Sequence, residues 1–304
     1  MLRVGLIGLG AVGRRRAAAI QAHPGLRLVE TSDSPAQTTQ LLTASLDLVF
    51  VCVPNDQTAP TCLAALSRGL HVFCEKPPAR SLAELLPVVQ AATAADRVLM
   101  YGFNHRLHGA VLRLRELAGS QEHGALRSLR GVYGKPGATG WRRDPAVAGG
   151  GILLDQGIHM LDLLRLLAGE LTVEGAVVRG APLEEDVHAL LRGERGVVAS
   201  LHSSAWEPRC TFRLEAVFER ARVVVDGILS GSMAYAPERL RVEAQGRPPT
   251  EERFEQDGSW AAEVDAMAAA VVEGRSAAAA GHGSPEDAVA LMRCIERIHQ
   301  AGRA

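Results

Sequence analysis

The chain has 304 residues, with 33 basic and 34 acidic side chains, a net charge of −1 and 47% hydrophobic residues. So even a balance argues against gripping nucleic acid or an anionic membrane by bulk charge, because both need many unpaired Lys and Arg. At roughly 100–200 residues per domain the length suggests two domains, with enough core to fold without metals or disulfides.

The five cysteines, Cys52, Cys62, Cys74, Cys210 and Cys294, are odd in number, scattered and free of C-x-x-C pairs. They read as reduced thiols of a cytoplasmic protein. The apolar run Leu48 to Val53 falls far short of the roughly 20 residues of a bilayer-spanning helix, so a soluble chain without a membrane partner is expected. The opening MLRVGLIGLGAVG reads as a buried strand entering a tight turn, because glycines and three arginines follow where a signal peptide would stay apolar.

Over the first hundred residues, strands are predicted at Arg3–Ile7, Arg27–Thr31, Asp47–Val53, Leu70–Phe73 and Arg97–Tyr101. Helical spacing separates them at Ala11–Ala22, Pro35–Thr43, Asp56–Arg68 and Ser81–Ala95. Repeated β-α-β with continuously apolar strands implies a right-handed, doubly wound parallel sheet of Rossmann type. After about Phe103 a helix near Gly109–Leu117 and a strand at Leu126–Tyr133 lead through a glycine-rich passage to an apolar helix at Asp155–Leu167. Short strands follow at Thr172–Val178, Val187–Leu191, Val197–His202, Thr211–Phe218, Arg222–Val225 and Leu240–Ala244. These predict a C-terminal α/β domain with a large open, mainly antiparallel sheet. Helices at Trp260–Glu273 and Pro285–Gln300 close the chain, the second preceded by a loop at Ala277–Ala280 and capped by Ser284. The domains are taken as 1–103 and 104–304.

Gly8-Leu9-Gly10-Ala11-Val12-Gly13 fits G-x-G-x-x-G between a predicted strand and a predicted helix. There glycines permit a tight turn and close approach of backbone to a pyrophosphate at a helix N-terminus. Asp33, 20 residues beyond Gly13, stands where a carboxylate accepts hydrogen bonds from an adenosine ribose, which favours NAD. Arg14 to Arg16 and Ser34 are close enough to leave NADP open, and solvated helix charge is the plain alternative for the arginines. Ligands of an open parallel sheet bind beyond its strand ends, which places Val53-Pro54-Asn55, Glu75-Lys76-Pro77 and Asn104 along one crevice.

Of the 33 basic residues only Lys76 and Lys135 are lysines. A chain that writes Arg almost everywhere has a reason to keep a compact, titratable amine. Asp155, His159 and Asp162 are spaced four and three apart, which puts them on one helical face. A carboxylate beside an imidazole makes a proton-transfer pair, and so few ligands do not make a metal site. Gly157 costs that helix roughly 1 kcal/mol relative to Ala, so close packing is expected there.

The glycine motif, Val53-Pro54-Asn55, Glu75-Lys76-Pro77 and Gly149-Gly150-Gly151 followed by Asp155-x-x-x-His159 together resemble the Gfo/Idh/MocA oxidoreductase family across nearly the whole chain. The resemblance implies a Rossmann domain binding NAD or NADP and a second domain whose sheet joins a homodimer or homotetramer. It also implies a final helix that packs back on the first domain, and hydride transfer to or from a secondary hydroxyl or ketone of a sugar, nucleotide-sugar or polyol. Lys76 and His159 would then be the proton-handling pair, with Asp155 holding substrate hydroxyl and imidazole. Asn104, Arg106, Lys135, Trp141 and Arg142 flank the site as substrate residues, although a Trp-Arg-Arg loop equally fits a packed corner. Two departures stand out: Thr58 replaces a His common in the family, and the Asp33–Asp47 segment is short. A non-catalytic scaffold that keeps the dinucleotide pocket is the alternative.

Overall fold

A computed structural model describes residues 1–228, 237–275, 277 and 282–302. Apart from Ala277, the predicted loop at 277–280 lies outside the described residues. The chain forms two compact units, one of Met1–Asn104, Ala146–Gly149 and Ser259–Val289, the other of His105–Pro145, Gly150–Gly258 and the segment from Ala290 onward.

In the first unit β1 (Leu2–Ile7), α1 (Ala11–Ala22), β2 (Leu26–Ser32), α2 (Pro35–Leu41), β3 (Leu48–Val51), α3 (Asn55–Ser67), β4 (His71–Glu75), α4 (Leu82–Ala95) and β5 (Leu99–Gly102) alternate. The strands form one parallel sheet in the order β2-β1-β3-β4-β5. Every residue of β3 and β5 is buried, as a sheet covered on both faces requires. The order reverses between β1 and β3, which makes the ends of those strands the switch point where such sheets bind ligands. Ser34 and Ser81 cap α2 and α4, accepting hydrogen bonds from Gln37 N and Glu84 N. Ser284 and Asp287 form a reciprocal cap on the last helix, as its sequence predicted.

Arg16 departs from the expectation that it is solvated or waits for a phosphate. It is fully buried, with Nε 2.6 Å from Glu75 Oε1 and its far end on Glu263. Phe73 and Trp260 lie 4.5 and 4.4 Å from the guanidinium carbon. Burial alone would lower its pKa, but Glu263 and Glu75 more than offset that and hold it charged. The cause is local: Gly13, Arg16 and Ile20 are the buried residues of α1, and their spacing of three and four puts Arg16 on the packed face.

The second unit holds α5 (Gly109–Ser120), β6 (Leu126–Pro136), the one-turn α6 (Pro145–Ala148, shared with the first unit) and α7 (Ile158–Ala168). Then come β7 (Thr172–Arg179), β8 (Asp186–Arg192), β9 (Val198–Ser204), β10 (Trp206–Phe218), β11 (Ala221–Asp226), β12 (Glu238–Ala244) and β13 (Thr250–Phe254). Eight strands make a sheet in the order β13-β12-β11-β10-β6-β9-β8-β7, in which β6 and β9 are parallel and the other neighbours antiparallel. Its β13 was not anticipated, because the charged run Thr-Glu-Glu-Arg-Phe carries no apolar alternation to reveal it. Leu129, Gly131 and Tyr133 are the buried alternates of β6, and a Cβ on Gly131 would collide with Met160 of α7. The other face of the sheet is open, with exposed ion pairs such as Arg222–Glu243 at 2.8 Å and Arg239–Asp226 at 2.7 Å. Such pairs contribute about 0–1 kcal/mol each.

Candidate active site

In the first unit three glycines of the β1–α1 turn serve three separate ends. Gly8 has φ +94°, and a Cβ there would strike the Cys52 carbonyl. A Cβ on Gly13 would strike the Gly8 carbonyl, whereas one on Gly10 would meet nothing within 4 Å. So Gly8 and Gly13 are required by the fold, and Gly10 leaves an open cradle at the α1 N-terminus, where the first amide groups of Ala11, Val12 and Gly13 have no partner within the helix. Asp33 is exposed and accepts Leu9 N–H at 2.7 Å, which fixes the loop and keeps its carboxylate beside it.

The other strand exits line up along the same sheet edge. Val53 and Pro54 are half-buried, and Asn55 is buried and donates to the Ala148 carbonyl at 2.8 Å. Glu75 is held by Arg16, and Lys76 beside it is half-buried in a cis Lys76–Pro77 peptide. Asn104 donates to Ser259 Oγ at 3.1 Å. Thr58, at the departure from the family pattern, back-bonds within α3 to Pro54 O at 3.3 Å. Ser34 is engaged as the α2 cap.

In the second unit a π-helical turn over Leu153–Gly157 runs into α7. The single face expected for Asp155, His159 and Asp162 is divided by that extra residue in the turn. Asp155 is ion-paired to Lys135 and lies 3.4 Å from Arg142 Nε, and Arg142 stacks over the Trp141 ring at 4.3 Å. His159, only 2% exposed, stacks on His105 with ring centres 3.9 Å apart. Asp162 grips Arg106 at two points, Nε donating to Oδ2 at 2.7 Å. Arg106 and Asp162 are both buried, so this pair fixes α7 in place, and the guanidinium expected for substrate is engaged inside the fold. Gly157 lacks a Cβ because Leu153 and Ser203 press on it, the close packing its sequence cost implied.

Residues 37–103 match a family described as an oxidoreductase family with an NAD-binding Rossmann fold, and residues 111–224 match the GFO/IDH/MocA C-terminal domain. The chain is also 31% identical over 268 residues to D-xylose 1-dehydrogenase (NADP(+)) 2 of Haloferax volcanii, covering 84% of this chain and 78% of that protein. The chain belongs to the Gfo/Idh/MocA family. It is 32% identical over 170 residues to 1,5-anhydro-D-fructose reductase of Ensifer adhaerens, which is 52% of this chain and half the length of that reductase. In fold it is similar to the aldose-aldose oxidoreductase of Caulobacter crescentus solved with glycerol, with a TM-score of 0.87 and 24% identity across 99% of this chain and 97% of that one.

As a family member the chain is an NAD(P)-dependent oxidoreductase, and the alternative of a non-catalytic scaffold is set aside. The residues present fit the dinucleotide: the Gly10 cradle, the α1 N-terminus and the Asp33 carboxylate are the features a pyrophosphate and a ribose require. No described helix is long and apolar enough to cross a membrane.

Sequence reasoning missed three supports of the candidate residues at the start of α7. His105 stacks on His159 and shares a 3.1 Å hydrogen bond with Tyr133. Tyr133 and Lys135, two apart on β6, share one face, and strand alternation alone could have paired them. Glu184 accepts Leu153 N–H at 3.2 Å through its side chain and Ile152 N–H at 2.9 Å through its carbonyl, anchoring the start of the π-turn. No local pattern marks Glu184, since its partner lies 31 residues away.

Proposed function

We propose that this enzyme interconverts a secondary hydroxyl and a ketone on a sugar, nucleotide-sugar or polyol, with Lys76, Asp155 and His159 as its catalytic residues. The bound cofactor supplies hydride chemistry at its nicotinamide ring. His159 takes the proton of the substrate hydroxyl at its imidazole as the carbonyl forms, and returns it in the reverse direction. Lys76 hydrogen-bonds the same oxygen through its ammonium and stabilises developing negative charge there. Asp155 orients the substrate hydroxyl toward the ring, while Lys135 and Arg142 hold the carboxylate in place. Trp141 offers an apolar face of the kind that packs on a sugar ring, and Asn104 completes the polar wall.

The observation that carries this reading is the Asp155 carboxylate, held by Lys135 and Arg142 and sitting one turn ahead of a nearly buried imidazole. The exposed Asp33 supports NAD over NADP, because a 2′-phosphate beside it would meet like charge. The test is a panel of aldoses, nucleotide-sugars and inositols read at the 340 nm band of the reduced cofactor. Turnover of at least one, lost in Lys76→Met and His159→Ala, supports the reading. Turnover by both variants within a few-fold of wild type would overturn it.

The open sheet face also fits a homodimer or homotetramer. Val177, Leu190 and Val198 are 56%, 49% and 47% exposed and share that face of β7, β8 and β9 through the register, an apolar patch of the sort that marks interfaces. A cytoplasmic setting agrees with five free thiols, of which burial pushes Cys294 up to about 12.

A further inference from the structure

We propose that Asp186, His188 and His202 form a binding site for a divalent transition-metal ion of the zinc class, on the open face of the large sheet and separate from the redox site. Strands β8 and β9 are antiparallel, with His188 directly opposite His202 and Asp186 opposite Ser204. Directly opposed residues have Cβ atoms about 4.5–5.5 Å apart, and residues two apart on one strand share a face. Two imidazoles and a carboxylate are thereby delivered to one spot by the backbone itself.

Side-chain geometry agrees. Asp186 Oδ1 lies 2.9 Å from His202 Nε2, and Oδ2 lies 3.5 Å from His188 Nε2. One donor atom from each of the three residues falls within 4.8 Å of the others. Imidazole nitrogen with a single carboxylate is the donor set of zinc and its neighbours, whereas magnesium and calcium take oxygen ligands. The two rings stack at 4.0 Å and 10°, so binding requires them to turn out of the stack until their in-plane lone pairs converge at about 2.0–2.1 Å from the ion. His188, whose side chain is 49% exposed, has the room to do so, and water completes the coordination.

One group competes. Arg179, opposite Asp186 on β7, donates to Asp186 Oδ2 from Nε at 3.0 Å and from Nη2 at 2.5 Å. Its side chain is half exposed and also lies over the Trp206 ring at 4.8 Å. An arriving dication would displace the guanidinium from the carboxylate onto that ring. Arg179 therefore sets the affinity without being a ligand.

The experiment is calorimetric titration of the full chain, stripped with a chelator, with Zn²⁺. The expected result is one saturable event per chain. His188→Asn/His202→Asn should weaken it by at least the roughly 10–100-fold that losing a mere supporting partner of a metal site costs. Arg179→Gln should tighten it, and Mg²⁺ should give no event. The three side chains share their sheet face with Val177, Leu190 and Val198, so the titration uses the chain in the assembly it forms in solution, and an unchanged melting temperature and molecular size for the double variant would verify that it folds and assembles. Absence of a saturable Zn²⁺ event, equal affinity in wild type and the double variant, or equal binding of Mg²⁺ would each overturn the proposal. None of these readouts uses catalytic turnover, so the site stands or falls apart from the redox reading.

Discussion

The two halves of the candidate chemistry are built on opposite plans. In the first unit the β1–α1 turn is shaped by atoms that are missing: Gly8 and Gly13 because a Cβ would strike backbone, Gly10 because the space beyond it is kept open. In the second unit the start of α7 is shaped by side chains that are present, with Asp155 between Lys135 and Arg142, and His159 against His105. A site of the first kind offers backbone amides and binds a group of fixed shape. The second kind can hold and move a proton, since only side chains titrate near neutral pH. The difference predicts that cofactor affinity and turnover are separable by mutation.

The largest effect tests that separation. His159→Ala and Lys76→Met should each lower kcat by about 10²–10⁴-fold, the usual worth of a positioned proton-transfer group. Cofactor binding, followed by fluorescence of the reduced dinucleotide, should stay within a few-fold. A parallel collapse of both quantities would join the halves into one cooperative site and break the comparison. Next in size, Arg16→Met leaves the buried Glu263 and the half-buried Glu75 without their cation, which should cost about 3–5 kcal/mol in urea unfolding. A loss under 1 kcal/mol would mean that the network is not the brace of the strand exit carrying Glu75 and Lys76.

How much was legible in the sequence follows from the same contrast. The glycine loop, the five parallel strands and the switch-point residues were readable because their signals are local: spacing of glycines, runs of apolar residues and turn chemistry at strand ends. Asp155 and His159 were readable as a spacing, but not their surroundings. Lys135 meets Asp155 from a strand 20 residues away, and His105 reaches His159 from a turn 54 residues earlier in the sequence. Only tertiary structure brings such pairs together. Arg16 is the instructive miss: three consecutive arginines look like solvated charge, yet helical spacing from Gly13 to Ile20 already put the third on the packed face.

A smaller effect probes the glycine loop itself. Gly10→Ala adds a methyl that touches nothing in the chain, so stability should change by less than about 0.5 kcal/mol. The methyl would enter the space a pyrophosphate requires, and overpacking of about 1–3 kcal/mol corresponds to roughly 5–150-fold weaker cofactor binding. Gly13→Ala, whose methyl would strike the Gly8 carbonyl, should instead lower the melting temperature. If Gly10→Ala and Gly13→Ala behave alike, the distinction between a glycine kept for the fold and one kept for the ligand fails.

The smallest effect concerns Glu184, which steadies the second plan by holding the π-turn with one carboxylate oxygen and one backbone carbonyl. Burial alone would raise its pKa, but His299, 3.6 Å from Oε2, and nearby backbone amides outweigh that and keep the carboxyl below its ordinary value of 4.5. A carboxyl lowered in the folded state contributes stability that is complete above its unfolded value and is lost as pH falls through the folded one. At pH 7, Glu184→Gln should therefore be less stable by about 1–1.5 kcal/mol, the margin of a charge-assisted over a neutral hydrogen bond. The gap should close as the solution is acidified below about 4.5, because wild-type Glu184 then becomes neutral too. Urea unfolding of both proteins at pH 7 and pH 3 reads this directly. A gap that stays constant, or widens in acid, would show that Glu184 holds the turn by shape rather than by charge.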